Sequence, residues 1–214
     1  MTSKDRGRFI TVEGIEGTGK STNIEFMTAL IEKQGYTVIR TREPGGTPMA
    51  EKIRQLLLEH GQENLPSIAE LLLFFAARSL HLQNTIMPAL NAGNWVVCDR
   101  FTDASRAYQG SGRGLDQDRI ERMAEWVQDG LEPDLTILLD APAEVGMRRA
   151  AERGAGDRMD NEELAFYQRV RRGYLALAER HPDRFAVVDA SRPLVDVQAS
   201  IATELDLLFN KKLV

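Results

Sequence analysis

Short apolar segments alternate along the chain with longer segments in which apolar residues recur every three or four positions. The short segments predict five strands, which span residues 9–13, 37–42, 95–98, 135–139 and 185–189. The longer segments predict helices between them, most clearly over residues 20–34, 48–60, 67–91 and 194–208. Strands and helices that alternate in this way form a parallel sheet covered by helices on both faces. We therefore predict an α/β fold for residues 1–214, as a single domain built on about five parallel strands.

Two segments fit neither pattern. Residues 110–114 read Gly-Ser-Gly-Arg-Gly, which predicts a flexible turn because glycine adopts many backbone conformations. Residues 153–160 are charged and contain two glycines, and they predict a mobile loop. We place this loop at about residues 146–160.

Composition and charge exclude several classes of protein. The 214 residues are 43% hydrophobic and 28% charged, as in an ordinary globular chain. The net charge of −5 disfavours a nucleic-acid partner, because phosphate binding requires surplus positive charge. No apolar segment approaches the roughly 20 residues that span a membrane. The single Cys98 cannot form an intrachain disulfide, so we expect a cytoplasmic protein with no membrane partner.

The segment after the first predicted strand matches the phosphate-binding pattern G-x-x-x-x-G-K-[ST] at every position, and it opens the first predicted helix. Backbone N–H groups of such a loop converge on phosphate oxygens, and the helix N-terminus adds positive potential. We predict that Lys20 reaches the β- and γ-phosphates and that the Ser21 hydroxyl binds Mg²⁺. The predicted ATP-binding residues are Gly14, Ile15, Glu16, Gly17, Thr18, Gly19, Lys20 and Ser21.

Charged residues also end the third and fourth predicted strands. Asp99 and Arg100 follow the third strand, and ligands of open α/β sheets bind at the carboxyl ends of strands. We predict that Asp99 holds Mg²⁺ through water and that Arg100 clamps a second phosphate. Asp140 ends the fourth strand before Ala-Pro, and we predict a helix cap there. The three histidines show no metal-binding spacing, and we interpret them as structural or surface residues.

A loop of this kind occurs in GTPase switches, in larger ATPases and in small-molecule kinases. The Asn-Lys-x-Asp signature of GTPases is missing, and the chain is short for a motor ATPase, which favours a kinase. A kinase needs a second basic pocket for its acceptor, and Arg54 and Arg78 are candidates for it. Phe74 lies one helical turn before Arg78, so a base stacked on the ring would meet the guanidinium. Core packing is the alternative role for Phe74, and a non-catalytic nucleotide-binding switch is the alternative function.

Several segments together carry a family resemblance that extends from Phe9 to about Phe209. They are Thr-Arg-Glu-Pro-Gly-Gly at 41–46, Phe74 with Ala-Ala-Arg at 76–78, Asp99-Arg100, Ala-Tyr-Gln-Gly at 107–110 and Gly-Arg-Gly at 112–114. In these segments the chain resembles bacterial thymidylate kinase, a family of P-loop nucleoside monophosphate kinases. The resemblance implies phosphorylation of dTMP to dTDP by Mg²⁺·ATP, by direct in-line transfer, in dTTP biosynthesis. It also implies a homodimer, for which residues 71–75 offer an apolar helix. A P-loop kinase for another nucleotide or nucleoside is the runner-up.

The resemblance also assigns roles in the acceptor site. It implies that Arg54 and Arg100 hold the dTMP phosphate, that Phe74 stacks on thymine and that Arg78 bonds a thymine carbonyl. Tyr108 would crowd the sugar C2′ position. Glu16 would stand near the acceptor sugar and phosphate, with Glu43 close by. The implied dTMP-binding residues are Glu43, Arg54, Phe74, Arg78, Arg100, Ser105, Tyr108 and Gln109.

Gly17 departs from members of that family in which a basic residue occupies the same position of the loop. Glycine offers no side chain to stabilise phosphate charge, so we expect arginines of the lid to do so instead. Arg153 and Arg158, next to the loop glycines, are our candidates, whereas Arg149 is expected to be solvated. The predicted catalytic residues are Lys20, Arg153, Arg158, Arg100 and Glu16.

Overall fold

A computed structural model describes residues 6–59, 65–152 and 162–210 of the chain. Its centre is a parallel sheet of five strands in the order β2-β3-β1-β4-β5. The strands are β1 (Phe9–Glu13), β2 (Val38–Arg42), β3 (Trp95–Asp99), β4 (Leu135–Asp140) and β5 (Phe185–Asp189). All five lie where the apolar segments predicted them, and the predicted α/β fold is confirmed.

Helices cover both faces of the sheet. They are α1 (Lys20–Lys33), α2 (Pro48–Leu58), α3 (Ser67–His81), α4 (Met87–Asn91), α5 (Thr102–Ser105), α6 (Gln117–Gln128), α7 (Ala143–Ala151), α8 (Leu164–Arg180) and α9 (Leu194–Asn210). Two π-helical segments, Leu82–Ile86 and Arg106–Gly112, continue α3 and α5. Alternate residues of β1 point to opposite faces: Ile10 and Val12 pack under α1 and α9, whereas Phe9 packs with the helices of the other face. No helix in the described ranges is long and apolar enough to cross a membrane.

Four sequence predictions differ from the structure in this framework. The single helix predicted for residues 67–91 is three consecutive helical segments. Residues 110–112, predicted as part of a flexible turn, belong to the second π-helical segment. They are held there because α8 passes very close: a Cβ on Gly173 would collide with Ser111. Because Gly173 has no Cβ, α8 packs closely against residues 110–112, and this packing holds them in a helical conformation.

The predicted boundary of the lid is also wrong. Residues 146–151 belong to α7, whose Ala-Arg-rich sequence favours a helix, and residues 153–160 lie outside the described ranges. The fourth correction concerns Asp140, which is not a helix cap. Pro142 stands at that position, and both Asp140 oxygens accept hydrogen bonds from Arg171, at 2.7 and 2.8 Å.

Candidate active site

The loop between β1 and α1 is shaped by glycines in conformations that other residues rarely adopt. Gly14 has φ 139° and Gly17 has φ 75°, and a Cβ on Gly14 would lie 2.5 Å from the carbonyl oxygen of Leu139. The Thr18 hydroxyl donates to the carbonyl of Ile15 at 2.9 Å, which closes the loop on itself. The loop therefore follows the edge of the sheet closely, with its N–H groups at the start of α1.

Lys20 leans back across this loop. Its Nζ donates to the carbonyl oxygens of Gly14 and Ile15, at 3.1 and 3.0 Å. Burial, reinforced by the neighbouring Arg100 guanidinium, lowers the pKa of Lys20 to about 8. A desolvated ammonium beside phosphate-binding N–H groups is a strong site for an anion.

Ser21 and Asp99 line one open cavity at the carboxyl ends of β1 and β3. The Oδ1 atom of Asp99 is buried and has no hydrogen-bond partner in the part of the chain that the structure describes. A carboxylate oxygen without a partner and a serine hydroxyl in the same cavity are hard-oxygen donors of the kind that Mg²⁺ prefers. These two residues therefore fit the predicted metal role.

Arg100 is the centre of the charged network between the loop and α8. Its Nη2 donates to Oε1 of Glu16 at 2.7 Å, and its guanidinium lies 4.7 Å from the centre of the Tyr108 ring. The Tyr108 hydroxyl donates to Oε2 of the same Glu16 at 2.7 Å. Burial alone would raise the pKa of Glu16, but Arg100 and Lys20 hold it below its ordinary value. The structure thus brings together four predicted site residues: Glu16, Lys20, Arg100 and Tyr108.

Beneath Arg100 lies a buried carboxylate that the sequence reasoning missed. Glu13 accepts the backbone N–H of Phe101 and the hydroxyl of Tyr174, both at 2.7 Å. Burial and the nearby Asp103 raise the pKa of Glu13 to about 8. The signal was present in the sequence, because a glutamate that ends a mostly apolar, buried strand needs a buried partner.

Arg78 lies at the centre of a second polar cluster and is only 1% exposed. Its Nε donates to Oε2 of Glu43 at 2.7 Å, and its Nη2 donates to the carbonyl of Phe101 and to the Ser105 hydroxyl, both at 3.1 Å. The remaining nitrogen, Nη1, has no partner within the described ranges. One N–H edge of a buried guanidinium is therefore left for another acceptor.

The aromatic rings around Arg78 are not the one that helical spacing suggested. Phe75 and Phe101 flank the guanidinium, with ring centres at 4.6 and 5.2 Å. Phe74 is half-buried and belongs to none of the apolar clusters formed by the described residues, which weakens its core-packing alternative. Phe75 and Leu71 are buried in the same apolar cluster. The first and last residues of the apolar segment 71–75, which was predicted to form the dimer interface, therefore point into the protein core.

Glu43 is placed to orient Arg78. Its second oxygen lies 3.1 Å from Nδ1 of His81, whose Nε2 lies 2.6 Å from the Thr41 hydroxyl. Both Glu43 and His81 are buried, which confirms a structural role for this histidine. The polar chain Thr41–His81–Glu43–Arg78 explains why the segment at 41–46 belongs to the site.

The other predicted acceptor residues surround this pocket. Nη1 of Arg54 donates to the carbonyl of Pro44 at 2.9 Å. Nε2 of the buried Gln109 donates to Oε1 of Glu70 at 2.9 Å. Glu70, like Glu13, was not predicted from the sequence. It holds the predicted residue Gln109 in place through this hydrogen bond.

The arginines predicted for the lid have different outcomes. Arg153 and Arg158 lie outside the described residues. Arg149 is not simply solvated, because its Nη1 donates to the carbonyl of Ala190 at 2.7 Å, which ties α7 to the end of β5. A Cβ on Gly17 would collide with the carbonyl oxygen of Gly146 on α7. There is consequently no room here for the basic residue that other family members carry.

The site combines a phosphate-binding loop with two oxygen-bearing side chains suited to Mg²⁺, Ser21 and Asp99. It also contains two arginines held by carboxylates, Arg100 and Arg78. This combination is typical of the class of P-loop nucleotide kinases. The thymidylate kinase family model matches residues 12–201. The chain is 58% identical to the thymidylate kinase of Chromohalobacter salexigens, over 93% of this chain and 95% of the relative. It is 54% identical to that of Methylococcus capsulatus, over 94% and 96%. The crystal structure of thymidylate kinase from Ehrlichia chaffeensis superposes with a TM-score of 0.76 at 33% identity, covering 94% of this chain and 99% of that one.

The chain belongs to the thymidylate kinase family. It is an enzyme that phosphorylates dTMP, in dTTP biosynthesis. This confirms the activity implied by the resemblance and excludes the alternative of a non-catalytic switch.

Proposed function

We propose that the chain transfers the γ-phosphoryl group of Mg²⁺·ATP in line to dTMP, with the donor on the loop at 14–21 and the acceptor between Arg100 and Arg78. The observation that carries this proposal is the unpaired Nη1 of Arg78. A buried guanidinium N–H without an acceptor costs free energy, which a carbonyl oxygen of a flat base recovers. Thymine presents carbonyl oxygens at its edge, whereas cytosine presents an amino donor at position 4.

The substrate side needs no general base. A phosphate monoester has its second pKa near 6, so the attacking oxygen of dTMP is already ionised at neutral pH. The enzyme's task is to bring two anions together and to stabilise charge on the transferred group. Arg100 and Arg54 neutralise the acceptor phosphate, and Lys20 neutralises the donor. Glu16 keeps Arg100 in place, since it accepts a 2.7 Å hydrogen bond from that guanidinium.

Ser21 and Asp99 would hold Mg²⁺. The unpaired, buried Oδ1 atom of Asp99 and the position of both residues in one cavity support this role. When bound, the ion neutralises phosphate charge and polarises the transferred group. Tyr108 shapes the sugar site: its hydroxyl is fixed on Glu16 and its ring lies beneath Arg100. The rigid ring leaves little space beside C2′, which favours deoxyribose.

The test is a panel of nucleoside monophosphates with the Arg78 variant. We expect dTMP and dUMP to be phosphorylated and dCMP to be turned over at least about a hundredfold more slowly, because a site built for a carbonyl leaves its donor unpaired against an amine. Arg78→Met should raise the KM for dTMP and for dUMP without affecting the KM for ATP. Equal turnover of dCMP by the unsubstituted enzyme would contradict the assignment of Arg78 to the base.

We propose that Arg153 and Arg158 supply the charge that Gly17 does not. A contact made only in the transition state appears in kcat and not in KM. We expect Arg153→Ala to lower kcat at least about tenfold, equivalent to about 1.4 kcal/mol of barrier. The exposed Arg192 provides the control, since Arg149 is engaged with Ala190. Wild-type kcat in both Arg153→Ala and Arg158→Ala would remove the lid from the mechanism.

We propose that the enzyme is a homodimer through the exposed side chains of α2 and α3. Met49 and Leu56 on α2, with Ile68 and Leu72 on α3, are exposed apolar residues on two helices packed side by side. Exposed apolar side chains gathered on one surface mark an interface. Sedimentation velocity should give a dimer for the wild-type chain and a monomer for Leu56→Glu/Leu72→Glu. A monomeric wild-type protein at micromolar concentration would contradict the proposal.

A further inference from the structure

The backbone at Arg100 is held in a conformation that arginine adopts only under constraint. Its φ is 70°, in the left-handed region, where a side chain with a Cβ is disfavoured. Residues kept in such a conformation need surrounding contacts that fix them. Three backbone contacts surround this turn: Arg100 N–H donates to Val12, Phe101 N–H donates to Glu13, and Glu43 N–H donates to the carbonyl of Asp99.

One of these contacts is made by a side chain that is also linked to the Arg100 guanidinium, through the hydroxyl of Tyr174. Oε1 of Glu13 accepts the Phe101 N–H, and Oε2 accepts the Tyr174 hydroxyl. The Tyr174 hydroxyl oxygen in turn lies 3.4 Å from Nη1 of Arg100. A single carboxyl group thus holds the backbone on one side of Arg100 and supports its side chain on the other.

We propose that Glu13 is a positioning residue for dTMP, acting through Arg100. It fixes the left-handed turn through Phe101 and fixes the guanidinium through Tyr174. This inference rests on the proposed role of Arg100 at the acceptor phosphate. Glu13 itself is fully buried and lies beneath Arg100, so it acts on the substrate only through that residue. Its placement at the end of β1, directly before Gly14, also makes an effect on the ATP loop the natural competing explanation.

A double-mutant cycle on dTMP binding separates these explanations, with dissociation constants measured by calorimetry in the absence of ATP. We expect Glu13→Ala to raise the dTMP dissociation constant at least about fivefold, and to change it less than about twofold in an Arg100→Ala background. The second replacement has little effect because the group that Glu13 positions is then missing. The KM for ATP should stay within about twofold of wild type.

Thr11→Val is the matched control. Thr11 lies two residues earlier on the same face of β1, is fully buried and shares a 2.9 Å hydroxyl hydrogen bond with Thr136. The replacement removes a buried side-chain hydrogen bond of the same strand that does not involve Arg100, so dTMP affinity should be unchanged. Glu13→Gln should restore the affinity lost in Glu13→Ala, since its carbonyl oxygen accepts the Phe101 N–H and its amide donates to the Tyr174 oxygen.

Four results would overturn the inference. Equal losses from Glu13→Ala in both backgrounds, or a rise confined to the KM for ATP, would show that Glu13 does not act through Arg100. Unchanged dTMP affinity in Arg100→Ala would remove the phosphate role of Arg100, and both proposals would fail together. If Arg100→Ala weakens binding and Glu13→Ala does not, only the positioning role fails.

A second variant, which changes the shape of the buried core very little, keeps the inference testable if Glu13→Ala misfolds. Tyr174→Phe deletes one hydroxyl and keeps the ring in its aromatic contact with Tyr108. We expect it to raise the dTMP dissociation constant about two- to threefold, and only when Arg100 is present. An equal effect with and without Arg100 would contradict the proposal independently of the alanine variant.

Discussion

In the proposed function, the ATP loop and the acceptor pocket recognise anions and bases by opposite means. The loop is eight consecutive residues whose backbone does the binding, and its geometry depends on glycines and on the start of α1. The pocket is assembled from β1, the segment after β2, α3, the turn after β3 and α8, and it binds through side chains. Two of its arginines are held by carboxylates, Arg100 by the partly buried Glu16 and Arg78 by the buried Glu43.

This difference has energetic consequences. Removing a side chain from the loop leaves the backbone cradle intact, because the cradle is made of N–H groups and glycine turns. Removing an arginine from the pocket leaves a carboxylate buried without its partner, which is costly to the fold itself. Substitutions in the loop should therefore lower activity with little loss of stability, whereas substitutions of the pocket arginines should lower both.

The largest effect on activity is expected at Lys20. Lys20→Ala should lower kcat at least about a hundredfold, because an electrostatic partner of the transferred group is lost. Among the described residues, its Nζ hydrogen-bonds to two loop carbonyls, so the midpoint of thermal unfolding should change by less than about 2 °C. Kinetics and differential scanning calorimetry on the same preparation test both halves. Near-normal kcat in the folded variant would refute the donor-site assignment.

The pocket should show the reverse balance. Arg78→Met is expected to raise the KM for dTMP and also to lower the free energy of unfolding by about 3–5 kcal/mol, since the buried Glu43 loses its guanidinium partner and keeps only the contact with His81. The double variant Arg78→Met/Glu43→Gln removes the stranded charge and should recover part of that stability. Urea denaturation of the three proteins measures this. A single variant as stable as wild type would show that Glu43 does not depend on Arg78.

A smaller effect is expected where the loop contacts α7. A Cβ on Gly146 would lie 2.5 Å from the carbonyl oxygen of Glu16 and 2.9 Å from Cδ1 of Ile15. Gly146→Ala should therefore displace the loop and raise the KM for ATP by about three- to tenfold, while dTMP binding without ATP is unchanged. Glu144→Ala, on an exposed position of α7, is the control. Loss of dTMP affinity instead would indicate that α7 supports the acceptor side.

The smallest effect concerns pH and stability. Burial raises the pKa of Glu13 to about 8 from an ordinary value of 4.5, so the folded protein binds more protons than the unfolded chain between these values. Its contribution to stability therefore falls as pH rises through that window, by at most about 1.4 kcal/mol per pH unit. Lys20, whose pKa is lowered to about 8, adds its own dependence only above that pH. Glu13→Gln should flatten the pH dependence of the unfolding free energy between pH 5 and 8. An unchanged slope would assign that dependence to other groups.

Sequence pattern predicted the sheet because the strands are short segments rich in apolar residues, and β1, β3 and β4 are buried on both faces. It predicted the loop because a contiguous motif fixes its own backbone conformation, as Gly14 and Gly17 illustrate. The acceptor residues were reachable only through the family resemblance. Spacing alone paired Arg78 with Phe74, whereas the tertiary structure places Phe75 and Phe101 against the guanidinium.

The residues missed by sequence reasoning are the buried partners of those that were found. Glu13 and Glu70 bind no predicted ligand, and each fixes a residue that does or its immediate neighbour. His81, which was predicted as structural or surface, contacts Glu43 in the same way. Local periodicity carries no information about such pairs, because their members are separated by 38 to 161 positions.

By itself, the sequence determined the strands, the phosphate loop and the family, since each depends on residues that are close together in the chain. Only the tertiary structure decided which carboxylate holds which arginine, why position 17 has no room for a basic side chain, and why residues 110–112 are helical rather than a flexible turn. Those outcomes depend on desolvation and on close backbone contact between distant segments. Both arise when the chain is packed, at distances that no local pattern records.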